Sequence, residues 1–121
     1  MAFALLSEET ADSFNTLWQE IRQLEGKTIT NNRGTSYNIL KVTDGDITYS
    51  NQDDKRHRES ADLFRRILAR VQSYGSIQQS QLRGEFGTYA SAFITTVFSS
   101  SNSCEVTANP NTIRLRISKC T

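Results

Sequence analysis

Apolar residues recur along this chain in two rhythms, and the switches between them mark out the elements. Phe14, Leu17, Trp18, Ile21 and Leu24 fall at the i, i+3, i+4, i+7 spacing of one helix face. Ser7-Glu8-Glu9 offers that helix a capping hydroxyl followed by acids, and Gly26 offers it a stop. The face predicts core packing rather than a docking surface. From Lys27 to Ser50 the rhythm shortens to two, which predicts strands. Asp44-Gly45 predicts a type I′ hairpin turn, with positive φ at both central residues. Centred there, the hairpin pairs Val42 with Ile47 and Leu40 with Tyr49, all four on one face. Asn31-Asn32-Arg33-Gly34 marks a second turn, completing a three-stranded meander of Thr28–Thr30, Tyr37–Thr43 and Asp46–Ser50.

The helical rhythm then returns. Leu63, Phe64, Ile67, Leu68 and Val71 form a stripe over Ser60–Gln72, with Ser60 as cap and Asp62 in the first turn. Tyr74-Gly75 ends it, and the polar stretch Ser76–Leu82 leads to a glycine-bounded turn at Gly84 and Gly87. Ala90, Phe93, Ile94 and Val97 anchor a further helix over Thr88–Ser99, leaving Thr88, Ser91, Ala92, Thr95 and Thr96 facing outward. A hairpin closes the chain around Asn109-Pro110-Asn111-Thr112. Its expected register sets Ala108 opposite Ile113, Val106 opposite Leu115, Cys104 opposite Ile117, and Glu105 opposite Arg116 on the other face.

Between the two halves lies Asn51-Gln52-Asp53-Asp54-Lys55-Arg56-His57-Arg58, with no apolar residue at all. It reads as a connector. It divides a helix-plus-meander part (residues 1–54) from a second part (residues 55–121), the two forming one compact unit. The fold class expected is α+β.

Charge sharpens that division. The net charge of +1 over 121 residues hides 4 Lys and Arg against 9 Asp and Glu in residues 1–54, and 10 against 4 in residues 55–121. A basic half suits an anionic partner. Lys55, Arg56 and Arg58 make the densest cluster, and Arg65, Arg66 and Arg70 extend it along the flank of the next helix. Two cysteines make no disulfide framework, so a reducing cytoplasmic setting is the expectation. The expected register separates Cys104 from Cys120 and sends Cys104 to the core. No apolar run reaches the ~18 residues of a membrane span, and the first six residues lack the basic start of a signal peptide.

Chemistry of the catalytic kind finds little to stand on. Gly26-Lys27-Thr28 ends like a phosphate loop, but the glycine that motif needs five residues earlier is Ile21. His57 is the only histidine, so sites built on several histidines are excluded. Asp44 and Asp46 are explained by the turn they flank. No enzyme, cofactor or metal is expected.

The order over residues 60–118 (helix, short strand, helix, helix, two-stranded hairpin) resembles the winged helix-turn-helix family. That resemblance implies that Ser80–Arg83 and Thr88–Ser99 form a helix-turn-helix, with the second helix presented to a groove and the hairpin as its wing. The outward face departs from the family's DNA readers: it carries no Arg, Lys, Asn or Gln to read a base edge. The resemblance thus implies a non-catalytic nucleic-acid-binding module, of the kind that serves regulation, that holds duplex DNA or another polyanion mainly by its backbone. The contacts expected are Lys55, Arg56, Arg58, Arg65, Arg66, Arg70, Thr88, Ser91, Arg114 and Arg116. The alternative is a protein-interaction or dimerisation adaptor, for which a bare Ser/Thr/Ala helix face also suits close packing.

Overall fold

Helix α1 (residues 13–22) turns Leu17, Trp18 and Ile21 inward, with Phe14 and Leu24 packed on the rim of the core. The computed structural model describes residues 13–115. The Ser7-Glu8-Glu9 start, Arg116, Ile117 and Cys120 therefore lie outside the described residues. Trp18 ties α1 to two neighbours. Its indole N–H donates to the Thr43 carbonyl at 2.7 Å, and its ring meets Phe64 with centroids 5.6 Å apart. Glu20 adds a third tie, its carboxylate accepting from the Asn102 and Ser103 amides.

Four antiparallel strands follow: β1 (Thr28–Thr30), β2 (Ser36–Val42), β3 (Asp46–Ser50) and β4 (Arg56–Ser60), side by side in chain order. The expected Val42–Ile47 pair is present, but Tyr49 pairs with Ile39, not Leu40. A bulge between Ile39 and Lys41 takes up one residue and re-aims the strand. It buries Ile39 and leaves Leu40 exposed. The β2–β3 turn also differs from expectation, because neither Asp44 nor Gly45 has positive φ. The Thr43 hydroxyl accepts from the Gly45 and Asp46 amides at 3.1 Å each, so side-chain chemistry closes a turn that the Asp-Gly pair suggested would be type I′. At the other turn, the Asn31 side chain accepts from the Arg33 and Thr35 amides, and Gly34 supplies the positive φ of 89°.

The largest departure is β4. The polar connector is a hairpin turn through Asn51–Lys55, with Asp54 at φ 65°, followed by a fourth strand paired to β3 from Asp46–Ser60 to Ser50–Arg56. The meander is thus four-stranded. No alternation announced β4, since its sequence is Arg-His-Arg-Glu-Ser throughout.

Ser60 ends β4 and caps α2 (Ala61–Tyr74), its hydroxyl accepting from the Leu63 amide at 3.1 Å. The expected stripe of Leu63, Phe64, Ile67, Leu68 and Val71 is buried, and Gly75 closes the helix in the left-handed conformation. β5 (Ser76–Gln78), α3 (Gln79–Phe86) and α4 (Ser91–Ser99) follow, then β6 (Cys104–Thr107) and β7 (Thr112–Leu115). β5 pairs with β7 to make a second antiparallel sheet in the order β5-β7-β6. The hairpin register is shifted by two residues from expectation: Cys104 faces Leu115, Val106 faces Ile113, and Arg114 rather than Arg116 faces Glu105. A four-residue loop, 108–111, bridges Thr107 and Thr112, with Asn109 at φ 64°. A shift of two keeps every side chain on its expected face, so Cys104 is still buried.

Described residues therefore form a mixed α+β fold of four helices and two antiparallel sheets, and buried apolar side chains from both halves belong to one cluster. No helix among them is long and apolar enough to cross a membrane.

Candidate functional site

Helix α4 is not a surface helix. Phe93 through Phe98 are buried without a break, Thr95 at 4% and Thr96 at 2% exposure. Phe93, on the expected anchoring face, turns to the first sheet, where its ring stacks on Tyr49 (interplanar angle 9°) and meets Tyr37 edge-on. Ala92, Thr95 and Thr96, expected to look outward, line a cavity towards the β1–β2 turn. Thr88 is buried as well, its hydroxyl accepting from the Ala90 amide, and Ser91 is half-buried. Burial of Thr95 and Thr96 is inexpensive because each hydroxyl donates to the carbonyl four residues back, Ser91 at 2.8 Å and Ala92 at 2.7 Å. The short polar side chains that looked like an open contact face are those a helix can bury between two sheets.

The cationic candidates separate into three groups. Lys55 is exposed in the β3–β4 turn. Arg56 and Arg58 point from the face of β4 opposite to His57 and Glu59, and Arg58 lies 3.8 Å from Asp46. Arg114 is exposed on β7, between Ser76 and Glu105 in register. The third group lies along α2. Asp62 is shared by Arg65 and Arg66, the latter at 3.2 Å. Arg70 makes a two-pronged bond to Glu85 (2.8 and 3.2 Å) and donates to the Ser76 carbonyl at 2.9 Å. It is a brace between α2 and α3, and its geometry is that of a strong pair.

One pattern along the α2–α3 flank was not anticipated. Three arginines each lie over an aromatic ring: Arg66 on Phe86 at 5.8 Å, Arg70 on Tyr74 at 4.4 Å, and Arg83 on Tyr89 at 4.5 Å. Tyr74 and Tyr89 are 76% and 84% exposed, far more than packing would leave a tyrosine. Charge clustering singles out Arg66 and Arg70 but not Arg83, and neither it nor apolar periodicity finds the rings, two of which, Phe86 and Tyr89, lie outside α2.

The strip runs into a cleft of about 600 Å³ between β4 and the α3–α4 connection. Tyr37, Tyr49 and Phe93 form an aromatic floor; His57 and Glu59 wall one side; Phe86, Thr88 and Tyr89 stand opposite, with Arg66 at the edge. His57 stacks on Tyr49 (centroids 5.3 Å apart) and lies 3.4 Å from the Asn51 amide nitrogen. Burial pushes the Tyr49 hydroxyl up to about 12, with the charge of Glu59 and then Tyr37 adding to it, so it stays protonated. Burial also raises the Glu59 carboxyl, against a smaller opposing pull from His57. No hydrogen bond or ion pair holds that carboxyl among the described residues.

A second cavity, about 430 Å³, separates the β1–β2 turn from α4 and the β6–β7 hairpin. Its mouth is crossed by a chain of amides, Asn32 to Asn111 to Gln79, at 3.2 Å per bond. Among the described residues, no group of three or more His, Cys, Asp or Glu gathers to hold a metal. No protein-family model, curated protein or solved structure matches this chain.

Proposed function

We propose that the protein is a non-catalytic nucleic-acid-binding module that holds its ligand along the α2–α3 flank. The observation that carries this reading is the strip of Arg66, Arg70 and Arg83 laid over Phe86, Tyr74 and Tyr89. Guanidinium groups attract phosphate, and exposed rings give bases a surface to stack on, the combination by which single strands are held. The element order over residues 60–115, closed by β5 pairing with β7, supports a winged-helix-like description of this half. A buried α4 cannot enter a groove, so contacts fall to the flank, with Arg114 on the hairpin beside Ser76. Arg56 and Arg58, on the outer face of the first sheet, are assigned no part in this strip.

The adaptor reading leaned on the Ser/Thr/Ala face of α4, whose Thr95 and Thr96 are buried within the chain itself. The nucleic-acid reading is therefore preferred. Fluorescence anisotropy with a labelled single-stranded oligonucleotide, titrated at 50 and 200 mM salt, tests it. Two phosphate contacts, Arg66 and Arg83, correspond to a drop in affinity of about sevenfold over that range, Arg70 being held by Glu85. Arg66→Glu combined with Arg83→Glu should abolish binding at either salt. An affinity flat in salt, or untouched by the double substitution, would sink the reading.

A further inference from the structure

We infer that the cleft beneath Tyr89 receives one unpaired guanine base from the bound strand. This rests on the nucleic-acid reading above and adds to it a specificity. The strip delivers a strand to the mouth of the cleft, because Arg66 and Phe86 belong to both. Its volume of about 600 Å³ is ample for a purine ring. Tyr89, 84% exposed and braced by Arg83, offers a ring on which that base can stack.

The polar wall selects what enters. Glu59 is a carboxyl without a bonding partner among the described residues, turned into the cleft by its place on the same face of β4 as His57. A carboxylate repels phosphate, so the sugar-phosphate chain stays outside with the arginines and the base goes in. Two carboxylate oxygens match two adjacent N–H donors, and guanine presents such a pair on its Watson–Crick edge. Adenine and cytosine offer one donor beside an acceptor, and thymine or uracil one donor between two acceptors. Asn51, on the same wall, has an amide that can donate to the guanine carbonyl. Burial, which makes an unpaired Glu59 carboxylate costly, favours its being matched by such donors.

The test compares an eleven-residue oligothymidylate with one carrying a single central guanine, and with single adenine and cytosine versions, as deoxy and as ribo strands. The deoxy and ribo arms separate DNA from RNA as the source of the base. The expected result is tighter binding of the guanine strand by about tenfold over oligothymidylate, with adenine and cytosine between them. Glu59→Gln, which keeps the shape and removes one acceptor, should reduce that preference to about twofold. Tyr89→Ala should weaken every strand by about tenfold. Circular dichroism confirms that both variants fold. Equal affinity for all strands, or a guanine preference that survives Glu59→Gln, overturns the cleft assignment while salt-dependent binding through the arginines still stands. Failure of every strand to bind overturns both.

Discussion

Helices α2 and α4 start from the same kind of apolar pattern and end in different environments. α2 buries one stripe and leaves Arg65, Arg66 and Arg70 on its flank; α4 buries six consecutive residues, including two threonines. The difference lies in what faces each helix. α2 has the core on one side and α3 beside it. α4 packs against α3, β6 and β7, and its Phe93 reaches Tyr37 and Tyr49 of the first sheet. Surface chemistry is therefore found on the flank of the helix with the plainer pattern. The helix with the more suggestive position is structural.

The sharpest way to break this contrast is to put a charge on α4. Thr96→Lys should abolish folding at ambient temperature, since a buried, unpaired charge costs several kcal/mol against a typical total stability of about 5–15 kcal/mol. The same substitution would be tolerated on an outward-facing recognition helix, so a folded Thr96→Lys by circular dichroism would overturn the buried placement. Phe93→Ala comes next, with an expected loss of about 3–5 kcal/mol in urea unfolding. Tyr89→Ala, on the exposed strip, should stay within about 1 kcal/mol of the parent.

Smaller effects sharpen the α2 side. Arg70→Ala should cost about 1–2 kcal/mol, as it removes a two-pronged, half-buried pair and the Ser76 bond. A double-mutant cycle with Glu85→Gln should assign most of that to the pair, and additive losses would show the two side chains to be independent. Glu59 gives the smallest effect and one that depends on pH. Burial raises its carboxyl in the folded chain, so the fold binds that proton more tightly than the unfolded chain does. The associated stability is present below the unfolded value of about 4.3 and is lost as pH rises through the raised folded value. Glu59→Gln should therefore raise Tm at pH 7, with the gain shrinking towards pH 4; an equal gain at both would contradict the burial cause.

Much of the scaffold was legible along the chain. The α1 and α2 stripes, the Ser60 cap, the Gly75 stop and the Val42–Ile47 pairing follow from local spacing and local chemistry, and tertiary packing agreed with each. Where local signals failed, a long-range contact was decisive. Leu40 and Ile39 are equally apolar, and only the bulge opposite Tyr49 chooses between them. The hairpin register slid by two because Asn109 and Asn111 both fit a turn, so the loop length was not specified locally. β4 was invisible because its inward positions, His57 and Glu59, face an open cleft. A strand lining such a wall has no reason to alternate apolar with polar residues.

Sequence alone determined where α2 starts and stops, which stripes of α1 and α2 enter the core, and that positive charge accumulates after residue 54. These depend on backbone propensity and transfer from water, which act residue by residue. Only the tertiary structure decided which positive charges act together, because that depends on partners from separate elements: Arg66 with Phe86, Arg83 with Tyr89, and Arg70 with Glu85. It also decided that α4 lies between two sheets. A threonine with its hydroxyl bonded to its own helix is compatible with either solvent or core, and the neighbouring sheet makes the choice.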